Sequence, residues 1–230
     1  MALNRTSVPR TAEAVALAEL RDAIVRGDLA PGAPIRQSAA AEELGLSVIP
    51  VREALKTLAG EGIVTYVPQR GYTVTELSPD GVDDIFRLRE LLEGEAEQDA
   101  AARLRPEDVT AMRAALSEQR AAVTAADVAG VIAANRRFHF ALLDRCDNAW
   151  LSRFVRQLWE ALEPHRALSY RRAAAAGDTG RADAILAEHE AIVAAFEQDD
   201  APAALRLLAE HRRDGRTDFH RLLDGPGSGA

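Results

Sequence analysis

The run Glu42-Glu43-Leu44-Gly45-Leu46-Ser47-Val48-Ile49-Pro50-Val51-Arg52-Glu53-Ala54-Leu55-Lys56-Thr57-Leu58 constrains the fold more than any other stretch of the chain. It reads as two helices around a tight turn. Gly45 can adopt the positive φ that closes the first helix. Ser47 suits the N-cap of the second, and Pro50 is tolerated in a first turn whose N–H groups lack intrahelical partners. Val51, Leu55 and Leu58 are spaced to form one inward stripe. Val48, Arg52 and Lys56 recur every fourth residue on another face. A helix-turn-helix can offer such a face to a DNA major groove. A surface helix pair with no ligand has the same local signature.

Composition narrows the fold class. Hydrophobic residues make up 47% of the 230 and charged residues 28%, whereas aromatics reach only 5%. Ala and Arg dominate, which favours helices over a β-rich fold. No window reaches about 18 consecutive apolar residues, so no transmembrane span is expected. Residues 1–10 lack the apolar core of a signal peptide. The single cysteine, Cys146, has no internal disulfide partner and fits a reducing cytoplasm. The net charge of −8 is unevenly divided. Residues 1–75 carry eight Lys/Arg and eight Asp/Glu; the remainder carries twenty and twenty-eight. A neutral first part can still present a basic face through Arg36, Arg52, Lys56 and Arg70. It would bind DNA weakly as a monomer, because phosphate neutralisation supplies much of the affinity, and dimerisation would help.

In chain order, residues 1–10 read as a flexible arm. Thr11 to Arg26 is an amphipathic helix with Leu17, Leu20 and Ile24 on one side. The run Gly27-Asp28-Leu29-Ala30-Pro31-Gly32 breaks it. Ser38 to Leu44 and Ser47 to Glu61 are the paired helices. Ile63-Val64-Thr65-Tyr66-Val67 is a β-branched run, Pro68-Gln69-Arg70-Gly71 a turn, and Tyr72-Thr73-Val74 a second strand. A hairpin directly after a helix-turn-helix is a wing, and Arg70 at its tip can reach phosphate or a minor groove.

Residues 15–75 resemble the winged helix of the GntR family of bacterial transcription regulators. The resemblance rests on Gly27–Gly32, Leu44-Gly45-Leu46-Ser47, Pro50-Val51-Arg52-Glu53-Ala54-Leu55, Glu61-Gly62-Ile63-Val64 and Arg70-Gly71-Tyr72-Thr73-Val74. It implies operator contacts from Arg36, Ser38, Ser47, Val48, Pro50, Arg52, Lys56, Gln69, Arg70 and Gly71. The chain departs from the family where Val48 replaces the usual arginine after the serine, and where Ile49 stands in place of a frequent threonine. An operator unlike the usual family sequence is therefore expected, with more weight on Arg52, Lys56 and the wing.

Residues 76–78 read as a linker, 79–223 as an all-helical domain and 224–230 as a disordered tail. Ser78-Pro79 is an N-cap followed by a proline at the first helical position. Six helices are expected near 79–102, 106–124, 127–146, 149–175, 181–198 and 201–223. Polar residues interrupt their apolar stripes. One stripe is Val128, Val131, Ile132, Asn135, Phe138, His139 and Leu142. A second is Ile185, His189, Ile192 and Phe196, and a third Leu205, Leu208, His211, Gly215 and Phe219. Buried imidazoles are costly without partners. The last two helices, joined by a short loop, are expected to be antiparallel neighbours with His189 facing His211. Three converging imidazoles point to a divalent metal with open positions. Singly, each reads equally as a hydrogen-bonded core histidine.

Residues 79–223 resemble the FadR C-terminal effector domain, the all-helical FCD type. Asn135-Arg136-Arg137-Phe138-His139, Asn148 with Leu151, Glu188-His189-Glu190-Ala191-Ile192 and Asp199 to His211 carry this resemblance. It implies that Asn135, His139, His189 and His211 ring a metal, often zinc or nickel. Asn135 offers a neutral carbonyl where the family also uses aspartate, which would lower metal affinity and strengthen effector dependence. Arg89, on a stripe with Val82, Ile85 and Leu92, reads either as a fork for an effector carboxylate or as half of an ion pair with Glu93. His165, with Leu158 and Leu162, is expected to line the same cavity. His220 lies off-stripe and is expected to be solvated.

The expected function is a cytoplasmic, homodimeric, ligand-responsive regulator, a repressor, that binds double-stranded operator DNA. A small carboxylate effector would complete the coordination of the metal. A metal-dependent enzyme is the rival, since three histidines with an open position could activate water. Against it, no general base stands out, and Glu188 is expected to point about 100° away from His189. A purely structural metal and a metal-free acyl-chain sensor are further alternatives.

Overall fold

The computed structural model describes residues 11–224. The expected arm, 1–10, and residues 225–230 of the expected tail lie outside the described residues. The chain divides between Thr75 and Glu76 into two compact units.

The first unit holds α1 (Ala12–Arg26), β1 (Pro34–Ile35), α2 (Gln37–Glu43), α3 (Val48–Gly60), β2 (Val64–Val67) and β3 (Gly71–Val74). The Thr11 hydroxyl accepts the Ala14 N–H and caps α1. Gly45, at φ +63°, ends the turn after α2. There Leu46 N–H donates to Ala41 O and Gly45 N–H to Glu42 O, the paired bonds of a Schellman closure. The strands form an antiparallel sheet in the order β1-β3-β2, with Tyr66 opposite Tyr72 and Ile35 on the other side of Tyr72. The inward stripe of α3, Val51, Leu55 and Leu58, is fully buried with Ile24, Ile63 and Val74. β1 was not expected. Two residues carry no periodicity, and only their pairing with β3 makes them a strand.

The second unit holds α4 (Pro79–Ala101), α5 (Pro106–Thr124), α6 (Val128–Leu143), α7 (Ala149–Ala176), α8 (Gly180–Glu197) and α9 (Ala201–Asp224). Among the described residues it contains no strand. α5 packs on α6 and α8, α9 on α4 and α8, and α7 on α4 and α6. Ser78, Asp127 and Asn148 cap α4, α6 and α7 through their side chains. Asp224, placed in the tail by the sequence, is the last residue of α9. The segment 76–78 is tied to the bundle. Leu77 packs near Val82, Phe86, Leu162 and Phe219, and its N–H donates to His165 Nε2 at 3.2 Å. No helix of the described residues is long and apolar enough to cross a membrane.

The cap at Asn148 gives a direct test of why that residue stands there. Its Oδ1 accepts both the Trp150 and Leu151 N–H groups at 3.1 Å. Asn148→Ala is expected to lower the unfolding free energy by about 1 kcal/mol in a urea titration. An unchanged midpoint would remove the cap from the account.

Candidate metal centre and nucleic-acid interface

Three helices of the second unit each contribute one imidazole: His139 from α6, His189 from α8 and His211 from α9. Their ring centroids lie 4.8 to 5.1 Å apart. One ligand nitrogen from each can be chosen so that all lie within 4.8 Å of one another. His139 is 5% exposed and His189 0%. Both Nε2 atoms are buried with no hydrogen-bond partner.

The other ring nitrogen is held in two cases. His189 Nδ1 lies 2.8 Å from Gln119 Oε1, and His211 Nδ1 lies 2.5 Å from Glu188 Oε2. Each Nδ1–H donates to its oxygen, which leaves the Nε2 lone pair facing the cluster. Phe138 stacks on His189 at 4.0 Å, and Trp159 flanks His139 at 4.8 Å. Burial pushes the pKa values of His139 and His189 well below the ordinary imidazole value, and neighbouring imidazoles add to the effect. Burial also lowers that of His211, against the pull of Glu188. Burial alone would raise the Glu188 pKa, but His211 and Arg181 hold it below the usual carboxylate range.

This donor set fits a divalent ion. Neutral imidazoles present lone pairs, and the orphaned Nε2 atoms have no other use in the structure. Asn135 is 4% exposed, one helical turn from His139, and lines a cleft that also reaches His211. That cleft, partly open to solvent, runs between α4, α7, α8 and α9 past Phe86, Trp159, Arg166 and Phe219.

Two expectations need correction, and of the two readings left open for Arg89 the ion pair with Glu93 is present. His165 does not line the cleft: its Nε2 is taken by Leu77 N–H on another side of α7. Arg89 lines the cleft and its guanidinium pairs with Glu93, with Nε–Oε1 at 2.5 Å and Nη2–Oε2 at 3.1 Å. His220 is not simply solvated, since its Nε2 lies 2.6 Å from Asp83 Oδ1. Glu188, set aside because neighbouring helix positions diverge, meets His211 across the α8–α9 contact instead. Gln119 was missed, although it interrupts the apolar stripe of Met112, Ala115 and Leu116 in the same way as the histidines.

In the first unit, Val48 and Ile49 stand exposed at the start of α3, 43% and 63% accessible. Ser47 occupies the N-cap position but makes no side-chain cap bond. A cap hydroxyl reaches the second or third helical N–H, and here the third residue is Pro50, which has none. Arg36, Ser38, Arg52 and Lys56 are exposed, as are Gln69 and Arg70 in the wing turn, whereas Pro50 and Gly71 are half-buried. Gln69 and Gly71 both take positive φ, 66° and 85°, and aim the tip of the wing. Glu53 accepts Lys56 Nζ at 3.0 Å and lies 3.6 Å from Arg52 Nε. The Lys56 hydrogen bond is the main reason the Glu53 carboxyl is held below its usual range.

Residues 11–74 match the bacterial regulatory proteins of the gntR family, and residues 84–214 match the FCD domain. The chain belongs to the GntR family and carries an FCD domain. This GntR-family chain is 32% identical over 146 residues to the HTH-type transcriptional regulator McbR of Escherichia coli, covering 64% of the chain and 66% of McbR. It is 28% identical over 209 residues to the HTH-type transcriptional regulator YdhC of Bacillus subtilis, covering 90% and 91%. The HTH-type transcriptional repressor GlaR of Escherichia coli is 28% identical over 198 residues, covering 84% and 88%. The solved structure of Escherichia coli McbR/YncC superposes with a TM-score of 0.78 at 26% identity, over 92% of this chain and 98% of that one. The GntR-family chain is a DNA-binding transcription regulator, and its relatives are regulators rather than enzymes.

Two tests follow from these placements. Val48→Arg is expected to raise affinity for the operator sequence usual in the family by roughly tenfold. Unchanged affinity would place Val48 away from the DNA. The second concerns His165, whose burial pushes its pKa from the ordinary 6.5 to about 4. Between those values the unfolded chain binds more protons than the folded one, so stability falls as the pH drops from 6.5 towards 4. His165→Gln is expected to flatten that acid limb by up to about 1.4 kcal/mol per pH unit. Parallel pH profiles in urea unfolding would contradict the assignment.

Proposed function

We propose that the chain is a homodimeric, ligand-responsive repressor that acts in the cytoplasm and holds a divalent metal, zinc or nickel. His139, His189, His211 and the Asn135 carbonyl would hold the ion. The observation that carries this reading is the pair of buried, unpartnered Nε2 atoms on His139 and His189, beside His211. When bound, the ion supplies positive charge and open positions for an oxygen donor. Gln119 and Glu188 fix the ring orientations of His189 and His211. The adjoining cleft is where a small carboxylate would enter. Such a ligand regulates only if it binds the DNA-competent and DNA-incompetent states unequally. GlaR is a repressor by name, which supports the same sign here.

Operator binding is assigned to Ser47, Val48, Pro50, Arg52 and Lys56 around α3, with Arg36 and Ser38 before it and Gln69, Arg70 and Gly71 in the wing. A dimer would read two half-sites about 34 Å or a multiple apart. Its interface is supported by large apolar side chains on two helices that pack together: Leu88 and Leu91 on α4, 46% and 63% exposed, and Trp150 and Phe154 on α7, 68% and 49%. Apolar side chains in such numbers on a soluble surface mark an interaction site.

Elemental analysis of the purified chain tests the ligand set. About one ion per chain is expected, falling to background when His189→Ala and His211→Ala are combined. Full occupancy in the double variant would refute the assignment. Chelation is also expected to abolish any effect of carboxylic acids on operator affinity. A metal with a purely structural role would instead leave operator affinity indifferent to every acid tried.

A further inference from the structure

The cleft beside the histidines contains four arginines, and three are committed. Arg89 is bound by Glu93. Arg212 donates to Glu93 at 3.2 Å and to Glu97 at 2.7 and 3.0 Å. Arg181 is held between Glu188 and Asp218. Arg166, on α7, is different. Among the described residues it makes no ion pair and no hydrogen bond, and its guanidinium lies 4.6 Å over the Trp159 ring. Arg89 occupies a similar place, 5.0 Å from the same ring. Trp159 in turn touches His139. The unpaired cation therefore sits one aromatic ring away from the imidazole cluster, inside the cleft.

A half-buried guanidinium with no hydrogen-bonded anion is a poor structural element. Burial and the nearby Arg89 charge push its pKa down to about 10, against the weaker pull of Tyr170, Glu163 and Glu93. A carboxylate would relieve both, because the planar fork matches its two oxygens. The rest of the lining is largely apolar, with Phe86, Trp159, Ile185 and Phe219. A second carboxylate would find each remaining arginine already neutralised.

We infer that Arg166, not Arg89, is the carboxylate receptor of this cleft, and that the effector is a monocarboxylate with an aromatic or branched aliphatic body. The inference rests on the reading of the cleft as the effector site. Arg166 contributes recognition at the expense of stability, so removing it relieves the folded protein. Arg89 is the opposite case: its loss would leave buried Glu93 with only Arg212, which Glu97 already shares.

The test uses the intact chain, metal-loaded, in calorimetric titrations with phenylacetate, benzoate and isovalerate. Phenylacetamide serves as the neutral counterpart and succinate as the dicarboxylate. At least one monocarboxylate is expected to bind, and phenylacetamide and succinate are expected to bind at least tenfold more weakly. Arg166→Met is expected to weaken the monocarboxylate roughly ten- to hundredfold. It should also keep the full metal content and melt at the same temperature as the parent or higher. Arg166→Lys, which keeps the charge and loses the fork, is expected to fall between the two. Equal binding by parent and Arg166→Met, or tighter binding of succinate, would overturn the inference and leave the effector site standing. Binding of no acid of either kind by fully metal-loaded protein would overturn the effector-site reading, and the inference with it. A lower melting temperature of metal-loaded Arg166→Met would assign Arg166 a structural role and likewise overturn it.

Discussion

A buried nitrogen lone pair with nothing to accept is costly, and the second unit of this protein carries two of them side by side. His139 and His189 have their Nε2 atoms sealed in the bundle without a partner. A hydroxyl or an amide nearby would have satisfied them cheaply. The structure instead surrounds them with groups that hold the rings still: Gln119 behind His189, Glu188 behind His211, Phe138 stacked on one imidazole and Trp159 beside another. Fixed orientation with open lone pairs is what a metal ion requires and what a packed apolar core does not.

The charges around the cluster obey the same logic. Glu93 and Glu97 are buried, and their cost is offset by Arg89 and Arg212 reaching in from two helices. Burial raises the Glu97 pKa even so, against the pull of Arg212. Removing one member of such a network leaves a charge stranded, which is why α4 and α9 are locked together there. Arg166 stands outside this balance. Its place over the Trp159 ring, without an ion pair among the described residues, sets it apart from the close pairing of its neighbours.

Much of this was legible in the sequence because polar residues on apolar stripes are conspicuous. Asn135, His139, His189 and His211 were found on their stripes, and the structure brings the three imidazoles to within contact of one another. The helix-turn-helix could be read from Gly45, Ser47 and the spacing of Val51, Leu55 and Leu58. What escaped lies in contacts between elements. β1 exists only through its pairing with β3. A stripe states that His165 is buried but not that Leu77 is what covers it. Glu188 was dismissed from its angle to His189 on the same helix, yet its partner is on the next one. Ser47 holds the cap position without the cap bond, and Pro50 removes one of the two N–H groups that such a cap could reach.

The two units share one functional logic. The first presents α3 and the wing outward, with Arg52 and Lys56 gathered around Glu53. The second presents a cleft lined by Arg166 and His211, with His139 and His189 buried beside it. The central claim is that those imidazoles are a metal centre. Anomalous diffraction from crystals grown with nickel or zinc tests it most directly. One peak per chain is expected, about 2.1 Å from the Nε2 atoms of His139, His189 and His211. Peaks confined to surface carboxylates, with the three imidazoles bonded only to water, would contradict it.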